Sequence, residues 1–151
     1  MEKQFIKERI EDKMKEIEKY VEELSQIKPH SLDEYRENFE KKAACERYAE
    51  KIPEALTDLA FLAIKYSAYS QPKNDKESFE ILSLNKVITP KLAERLQDAK
   101  GMRNIIAHEY GKVSDEIVFE AISSELEADA SQFLKAIQEA IMKEKKEKNN
   151  G

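Results

Sequence analysis

Four polar side chains of types that can bind and cleave a phosphate ester lie close together in the stretch GMRNIIAHEYGK, residues 101–112. They are Arg103, Asn104, His108 and Tyr110. A guanidinium donates two parallel hydrogen bonds to phosphate oxygens, and an imidazole, whose ordinary pKa is about 6.5, exchanges protons near neutral pH. The segment therefore predicts acid–base chemistry on an anionic substrate, with an ordinary helix end as the alternative.

A helix through this stretch would bring these side chains onto one side of its surface. Successive residues advance by about 100°, so Arg103 and Tyr110 lie within about 20° of each other, and Asn104 and His108 within about 40°. The small side chain of Ala107 lies between the two pairs and leaves an open notch. The other side of the helix carries apolar residues that we expect to pack into the protein: Met102, Ile105 and Ile106.

Arg103 also stands in a line of otherwise apolar positions. Apolar residues precede it at alternating steps of four and three, as in the buried seam of a helical bundle: Leu92, Leu96 and Ala99. A guanidinium buried alone is costly, so Arg103 must reach water, a carboxylate or an anionic ligand. An ion pair within the fold and a bound phosphate are the two alternatives for this side chain.

The elements that position these residues are all predicted to be helices. Apolar residues at spacings of three and four predict an amphipathic helix near residues 2–27, which Pro29 ends. A second helical pattern begins after Ser31, the N-cap of a capping box, and continues to Tyr66. Pro53 lies within this pattern and is expected to kink or divide the helix, because proline removes a hydrogen bond and crowds the preceding turn.

Three more helices are predicted in the rest of the chain. A short one covers DKESFEILSLN, the next is capped by Thr89 and runs to about Tyr110, and the last is capped by Ser114. Short connections favour an all-α, antiparallel up-and-down bundle of four to five helices. We predict a single helical domain over residues 1–142 and a charged, disordered tail over 143–151.

The composition agrees with a helical protein of the cytoplasm. Charged residues make up 38% of the 151 residues, with three glycines and no tryptophan, which suits helices better than sheets. We find no apolar run near the roughly 18 residues of a membrane span, and the charged beginning of the chain is unlike a signal peptide. The single cysteine, Cys45, is expected to be a buried core residue. Two histidines far apart, His30 and His108, indicate no metal site, and we predict no cofactor.

The charge is unevenly distributed. Residues 86–112 carry six basic and three acidic side chains, a net charge of +3, whereas the whole chain has a net charge of −5. Such a local patch can hold a few phosphates while the rest of the surface repels long polyanions. We therefore expect a small footprint on any nucleic acid.

The same residues carry a resemblance to a known family. Arg103, His108 and Tyr110 match the R-x4-H-x-Y motif of HEPN domains, in the branch of the HepT-like toxins, and Asn104 fits the polar residue that commonly follows the arginine. The stretches ERYAEKIPEALTDLAFLAI and FEILSLNKVITPKLAERLQDAKGMRNIIAHEY resemble the long second helix and the later helices of these proteins. The resemblance covers roughly residues 5–140, and Pro53 departs from the usual residues of the long helix.

The resemblance implies helical bundles that dimerise and bring two R-x4-H motifs into one cleft. It implies a metal-independent endoribonuclease toxin with catalytic Arg103 and His108, supported by Asn104 and Tyr110. It also implies a partner, a small nucleotidyltransferase antitoxin called MNT, which can transfer AMP to Tyr110. RNA carries its own nucleophile in the 2′-OH, so no activated serine or cysteine is required for cleavage.

Two other functions remain open on the sequence. The chain is alternatively a non-catalytic HEPN subunit that binds a nucleotide or substrate for a minimal nucleotidyltransferase. A plain helical interaction protein, with Arg103 in an internal ion pair, is the third reading. The sequence indicates no membrane partner in any of the three cases.

Overall fold

The computed structural model describes residues 2–108 and 113–150, and within these ranges the regular structure is helical throughout. A π-helical turn, Ala121–Glu125, joins the last two helices directly. The predicted all-α bundle is confirmed. The helices are α1 (Glu2–Ile27), α2 (Leu32–Glu37), α3 (Phe39–Tyr66), α4 (Asp75–Leu84), α5 (Pro90–His108), α6 (Asp115–Glu120) and α7 (Leu126–Asn150).

Helix α3 lies at the centre of the bundle and packs against α1, α4, α5 and α7. Its orientation relative to α1 follows from two contacts. The ammonium of Lys13 lies 3.6 Å from the carboxylate of Asp58, whereas the ring of Tyr20 packs edge-on against that of Tyr48, with 6.3 Å between ring centres. Higher numbers on α1 meet lower numbers on α3, so the two helices are antiparallel.

Several predicted helix ends are confirmed. Helix α1 has the predicted bounds. The hydroxyl of Ser31 accepts a hydrogen bond from the backbone N–H of Glu34 at 3.1 Å, and the Glu34 carboxylate accepts one from the N–H of His30 at 2.9 Å. Thr89 caps α5 by accepting from the N–H of Leu92 at 3.1 Å. Each contact satisfies a backbone donor that a helix beginning would otherwise leave unpaired.

The second helical pattern is divided at Asn38, not at Pro53. Asn38 has extended backbone angles, and its side chain accepts from the N–H of Lys41 at 3.1 Å, so it begins a new helix. Helix α3 continues through Pro53, whose missing N–H leaves the carbonyl of Ala49 without its helical donor. Packing against four neighbouring helices compensates for that loss. Of the two predicted effects of Pro53, division of the helix was wrong for this reason, and a kink stays a prediction.

The last predicted helix is interrupted by the π-helical turn. Ser114 stands at the predicted N-cap of α6, but its side chain makes no capping hydrogen bond. The backbone carbonyl of Ser123, inside the π-helical turn, accepts a hydrogen bond from the ammonium of Lys28 at 3.0 Å. Apolar residues at helical spacing are buried before, within and after the turn: Val118, Ile122, Leu126, Phe133 and Ile137.

The segment predicted to be a charged, disordered tail, residues 143–151, lies largely within a helix, and its disorder stays a prediction. Helix α7 continues as far as Asn150. The carboxylate of Glu144 forms an ion pair with Lys3 and accepts a hydrogen bond from the hydroxyl of Ser67 at 3.2 Å. Lysine and glutamate are strong helix formers, and these contacts join the tail to α1 and to the end of α3. The predicted boundary of the domain at residue 142 remains a prediction.

Cys45 is fully buried, as expected, and burial raises the pKa of its thiol to about 11. A thiol in this state is protonated at neutral pH and is a poor nucleophile. Within the described ranges, the structure contains no helix long and apolar enough to cross a bilayer.

The cap at Asn38 generates a stability prediction. Replacing Asn38 with Ala removes the acceptor for the Lys41 N–H and should lower the free energy of unfolding by about 1 kcal/mol, measured by urea denaturation. Asn38→Asp is the control, since aspartate caps equally well and should leave stability nearly unchanged. Equal stability of wild type and Asn38→Ala would contradict a role for this cap in dividing α2 from α3.

Candidate functional site

Helix α5 positions the predicted site residues by burying one face and exposing the other. The buried residues confirm the predicted seam: Leu92, Leu96, Ala99, Met102 and Ile106. Asn104, Ala107 and His108 are exposed. Ile105 differs from the expectation, because its side chain is 38% exposed and does not join the core.

The guanidinium of Arg103 is paired with a carboxylate from the neighbouring helix. Its Nη2 lies 3.0 Å from Oε2 of Glu54 on α3, and its Nη1 donates to the amide oxygen of Asn104 at 3.3 Å. The Nε–H of Arg103 is buried and has no acceptor within the described ranges. The guanidinium is thus held on two sides and keeps one donor without a partner in this part of the chain.

Both predicted alternatives for Arg103 remain compatible with this arrangement. Arg103 does form an ion pair with another residue of the chain, but the acid is in contact with water. The Glu54 side chain is 53% exposed, against 20% for Arg103. Ion pairs with a solvated partner contribute roughly 0–1 kcal/mol. The carboxylate therefore holds Arg103 weakly enough for an entering anion to compete.

His108 lies on the exposed side of α5, one helical turn after Asn104. The amide oxygen of Asn104 accepts its hydrogen bond from Arg103. Tyr110, the fourth predicted residue, lies outside the described residues. The structure thus brings Arg103 and Asn104 into contact and places His108 on the exposed side of the same helix.

Glu54 was not predicted as the partner of Arg103. The requirement for a counter-charge was recognisable, but 31 acidic residues compete for that role in the sequence. The packing of α3 against α5 selects among them. One turn further along α3, burial raises the pKa of Asp58, the nearby Lys13 ammonium opposes this rise, and the charge of Glu54 adds to it.

A polar groove of about 510 Å³ opens beside this site between α4 and α5. Gly101 and Asn104 line it, and so does Lys100, whose ammonium lies 3.3 Å from the carboxylate of Asp75. Gly101 is exposed within a helix, and a Cβ added there would meet no atom within 4 Å. The groove therefore offers space next to Arg103, whereas the charges of its two lysines, Lys76 and Lys100, are balanced by Asp75 and Asp98.

The described residues contain no group of three or more histidine, cysteine, aspartate or glutamate side chains arranged to hold a metal ion. The chemistry that the site offers comes from a guanidinium with a replaceable counter-ion and an exposed imidazole. Such a pair can bind a phosphate and transfer a proton to or from an oxygen attached to it.

Comparison with known proteins identifies relatives over most of the chain. Residues 10–139 match the family model described as ribonuclease HepT-like. The tRNA nuclease HepT of Aphanizomenon flos-aquae is 30% identical over 118 residues, which cover 78% of this chain and 80% of that protein. An mRNA nuclease HepT of Shewanella oneidensis is 32% identical over 84 residues, which cover 56% of this chain and 62% of that protein.

Solved structures with the same fold point to the same relatives. A tri-AMPylated HEPN toxin of Shewanella oneidensis in complex with MNT antitoxin superposes with a TM-score of 0.78 at 25% identity, covering 85% of this chain and 96% of that chain. YutE of Bacillus subtilis, a cytosolic protein of unknown function, has a TM-score of 0.76 at 16% identity and covers 91% of this chain and 92% of its own. The second likeness shows the fold alone.

The exposed glycine beside the site generates a prediction. Gly101→Ala should raise the free energy of unfolding by about 1 kcal/mol, because alanine favours the helix and its methyl group meets open space. Chemical denaturation measures this difference. A less stable Gly101→Ala would show that the helix needs the glycine at this position, contrary to the open space around it.

Proposed function

Because the chain belongs to the HepT-like ribonuclease family, we propose that it is an endoribonuclease toxin of a toxin–antitoxin pair. Its relatives are nucleases of tRNA and of mRNA, and a similar solved structure is a toxin bound to MNT antitoxin. The observation that supports the proposal is that α5 carries both Arg103 and an exposed His108, and that the arginine's counter-ion is a half-exposed carboxylate.

The proposed reaction needs no nucleophile from the protein. The 2′-OH of the RNA attacks the adjacent phosphorus, the 5′-oxygen of the next nucleotide leaves, and the products are a 2′,3′-cyclic phosphate and a 5′-OH. His108 accepts the proton of the 2′-OH or donates one to the leaving oxygen. Arg103 stabilises the negative charge that develops on the phosphorane oxygens. Because protons and charge are handled by these two side chains, we propose that cleavage is independent of metal ions.

Glu54 fits this mechanism as a positioning residue. It holds the guanidinium of Arg103 at the rim of the site while no substrate is bound. An entering phosphodiester, which carries one negative charge as the carboxylate does, then takes over donors from Glu54, and the charge that develops on the phosphorane strengthens these hydrogen bonds. Asn104 keeps a second hydrogen bond to Nη1, so the guanidinium does not swing freely during this exchange.

The mechanism also gives a reason for a homodimer. One imidazole cannot readily remove a proton on one side of an in-line displacement and supply a proton on the other side. Two copies of the chain that meet at the exposed face of α5 would place two His108 imidazoles at one cleft. The substrate phosphate would then be bound between two Arg103 side chains.

We further propose that an MNT-type nucleotidyltransferase neutralises this toxin by transferring AMP to Tyr110. The support is the tri-AMPylated HEPN toxin among the similar structures and the match of Tyr110 to the motif. AMP at this position would obstruct the cleft, and its phosphate would compete with RNA for Arg103.

A second function is favoured by one observation. Arg103 is already neutralised by Glu54 in the single chain, as in a site that only binds a ligand. On this reading, the chain is a non-catalytic partner subunit that holds a nucleotide or substrate for a nucleotidyltransferase.

RNA cleavage with divalent metal ions removed by EDTA separates the two functions. The wild type should cut RNA, and Arg103→Ala and His108→Ala should each lower the rate about 100-fold or more, because each removes a group that acts in the transition state. Product formation is measured on denaturing gels.

Two matched controls are available in the chain. His30→Ala removes the other exposed histidine, and Arg47→Ala removes an exposed arginine that is paired with an acid, Glu50. Both controls should cut RNA at the wild-type rate. Absence of cleavage by a dimeric wild-type protein would contradict the nuclease proposal and favour the binding subunit.

Modification of Tyr110 generates a separate prediction. Tyr110→Phe removes the hydroxyl that accepts AMP, so the variant should gain no AMP mass when incubated with the antitoxin and ATP. Tight binding of the antitoxin should still inhibit it. Mass spectrometry after proteolysis measures the modification, and AMP found on a different residue of this variant, with full loss of activity, would contradict the assignment.

A further inference from the structure

A groove of about 860 Å³ lies outside the site described above, between α1, α3 and the segment that follows α3. We call it the α1–α3 groove. Its charged and aromatic lining consists of Arg9, Lys13, Asp58, Phe61, Lys65 and Tyr69. The catalytic proposal uses none of these residues, although Asp58 lies one helical turn after Glu54 on α3.

The α1–α3 groove is positively charged in a chain that is negative as a whole. Arg9, Lys13 and Lys65 oppose the single carboxylate of Asp58, although the chain has a net charge of −5. Lys13 is held by Glu16 at 2.8 Å and by Asp58 at 3.6 Å. Arg9 and Lys65 form no ion pair within the described ranges, so the groove offers two cations to an anionic ligand.

The groove also offers an aromatic ring to such a ligand. Phe61 is half-buried, yet it does not belong to the buried core or to the apolar residues packed against that core. Tyr69 lies at the other side of the groove and is partly buried. A phenyl ring flanked by cations is the combination by which proteins bind single-stranded RNA, because bases stack on the ring and phosphates pair with the cations.

The α1–α3 groove continues from the catalytic site along one face of α3. Glu54, which binds Arg103, is followed at helical spacing by Asp58, Phe61 and Lys65. Phe61 lies seven positions after Glu54, a distance of about 10 Å along the helix axis. A strand whose phosphate is bound at Arg103 therefore reaches the groove within a few nucleotides.

We propose that the α1–α3 groove is a binding site for the single-stranded RNA that flanks the cleaved phosphate. Phe61 stacks against a base, and Arg9 and Lys65 pair with phosphates on either side of it. The groove then gives the enzyme its preference for strands longer than a dinucleotide. Its role in cleavage rests on the proposed function, whereas its RNA binding stands independently of it.

RNA binding in a His108→Ala background tests this proposal without loss of the probe to cleavage. The probe is a fluorescein-labelled single strand of about 12 nucleotides, followed by fluorescence anisotropy. Arg9→Gln/Lys65→Gln should bind about tenfold more weakly, and its slope of log K against log salt should fall by about 1.4, the change expected for two phosphate contacts. Phe61→Leu keeps the apolar volume but should bind about tenfold more weakly with an unchanged slope.

Two comparisons complete the test. Lys135→Gln/Lys146→Gln removes two exposed charges from α7 and should bind RNA like its parent. With His108 intact, the groove variants should cut a dinucleotide at the wild-type rate and the longer strand about tenfold more slowly at limiting substrate. That split between short and long substrates distinguishes a lost subsite from a general loss of folding.

Two results would overturn the proposal, and a third would separate it from the nuclease proposal. Groove variants that bind the long strand as well as the α7 control would overturn it, whether or not the wild type cleaves. Groove variants that become monomeric by light scattering would assign the groove to a contact between copies of the chain. RNA binding that depends on the groove, together with an absence of cleavage, would support the groove and contradict the nuclease proposal.

Discussion

A largely buried guanidinium must have a counter-charge, and this constraint on Arg103 joins the site to the rest of the fold. The carboxylate that satisfies it, Glu54, belongs to α3, the helix around which the bundle packs. The pairing therefore depends on the register of α3 against α5. A change that shifts this register moves Glu54, and with it the guanidinium of Arg103, relative to the imidazole of His108.

The ion pair also explains how a site of this kind is both stable and available. If the substrate phosphate were the only counter-ion of Arg103, the empty site would contain an unpaired guanidinium. If the acid were fully buried, a substrate phosphate could not displace it. Glu54 is half exposed, so water solvates it when an anion displaces it from Arg103. The same stripe of α3 then leads from Glu54 to Asp58 and into the α1–α3 groove, which extends the surface available to a ligand.

Local patterns in the sequence predicted what depends on local chemistry. The unbroken apolar period and Pro29 were sufficient for α1, and the hydroxyl of Thr89 was sufficient for the start of α5. Local reasoning did not predict that α3 continues through Pro53, because the helix is stabilised there by packing against other helices. Helix propensity describes the local chain and not such tertiary contacts. No pattern in the sequence predicted the π-helical turn, because a helical turn with one extra residue has no distinct composition.

The candidate site shows the same division. Arg103, Asn104 and His108 were identified from spacing alone, since one helix carries all three. Glu54 and the residues of the α1–α3 groove were missed, because they meet only through contacts between helices. Arg103 and Glu54 are 49 positions apart, and no periodicity connects them.

The chemical identity of the ends left by RNA cleavage tests the central claim most directly. Mass spectrometry of the fragments, after reaction in EDTA with an RNA that carries a single 2′-deoxy nucleotide at one cut position, measures both the ends and the need for the 2′-OH. We predict a 2′,3′-cyclic phosphate on one fragment, a 5′-OH on the other, and no cut at the deoxy position. A 5′-phosphate with a 3′-OH, or cleavage at the deoxy position, would contradict attack by the 2′-OH at Arg103 and His108.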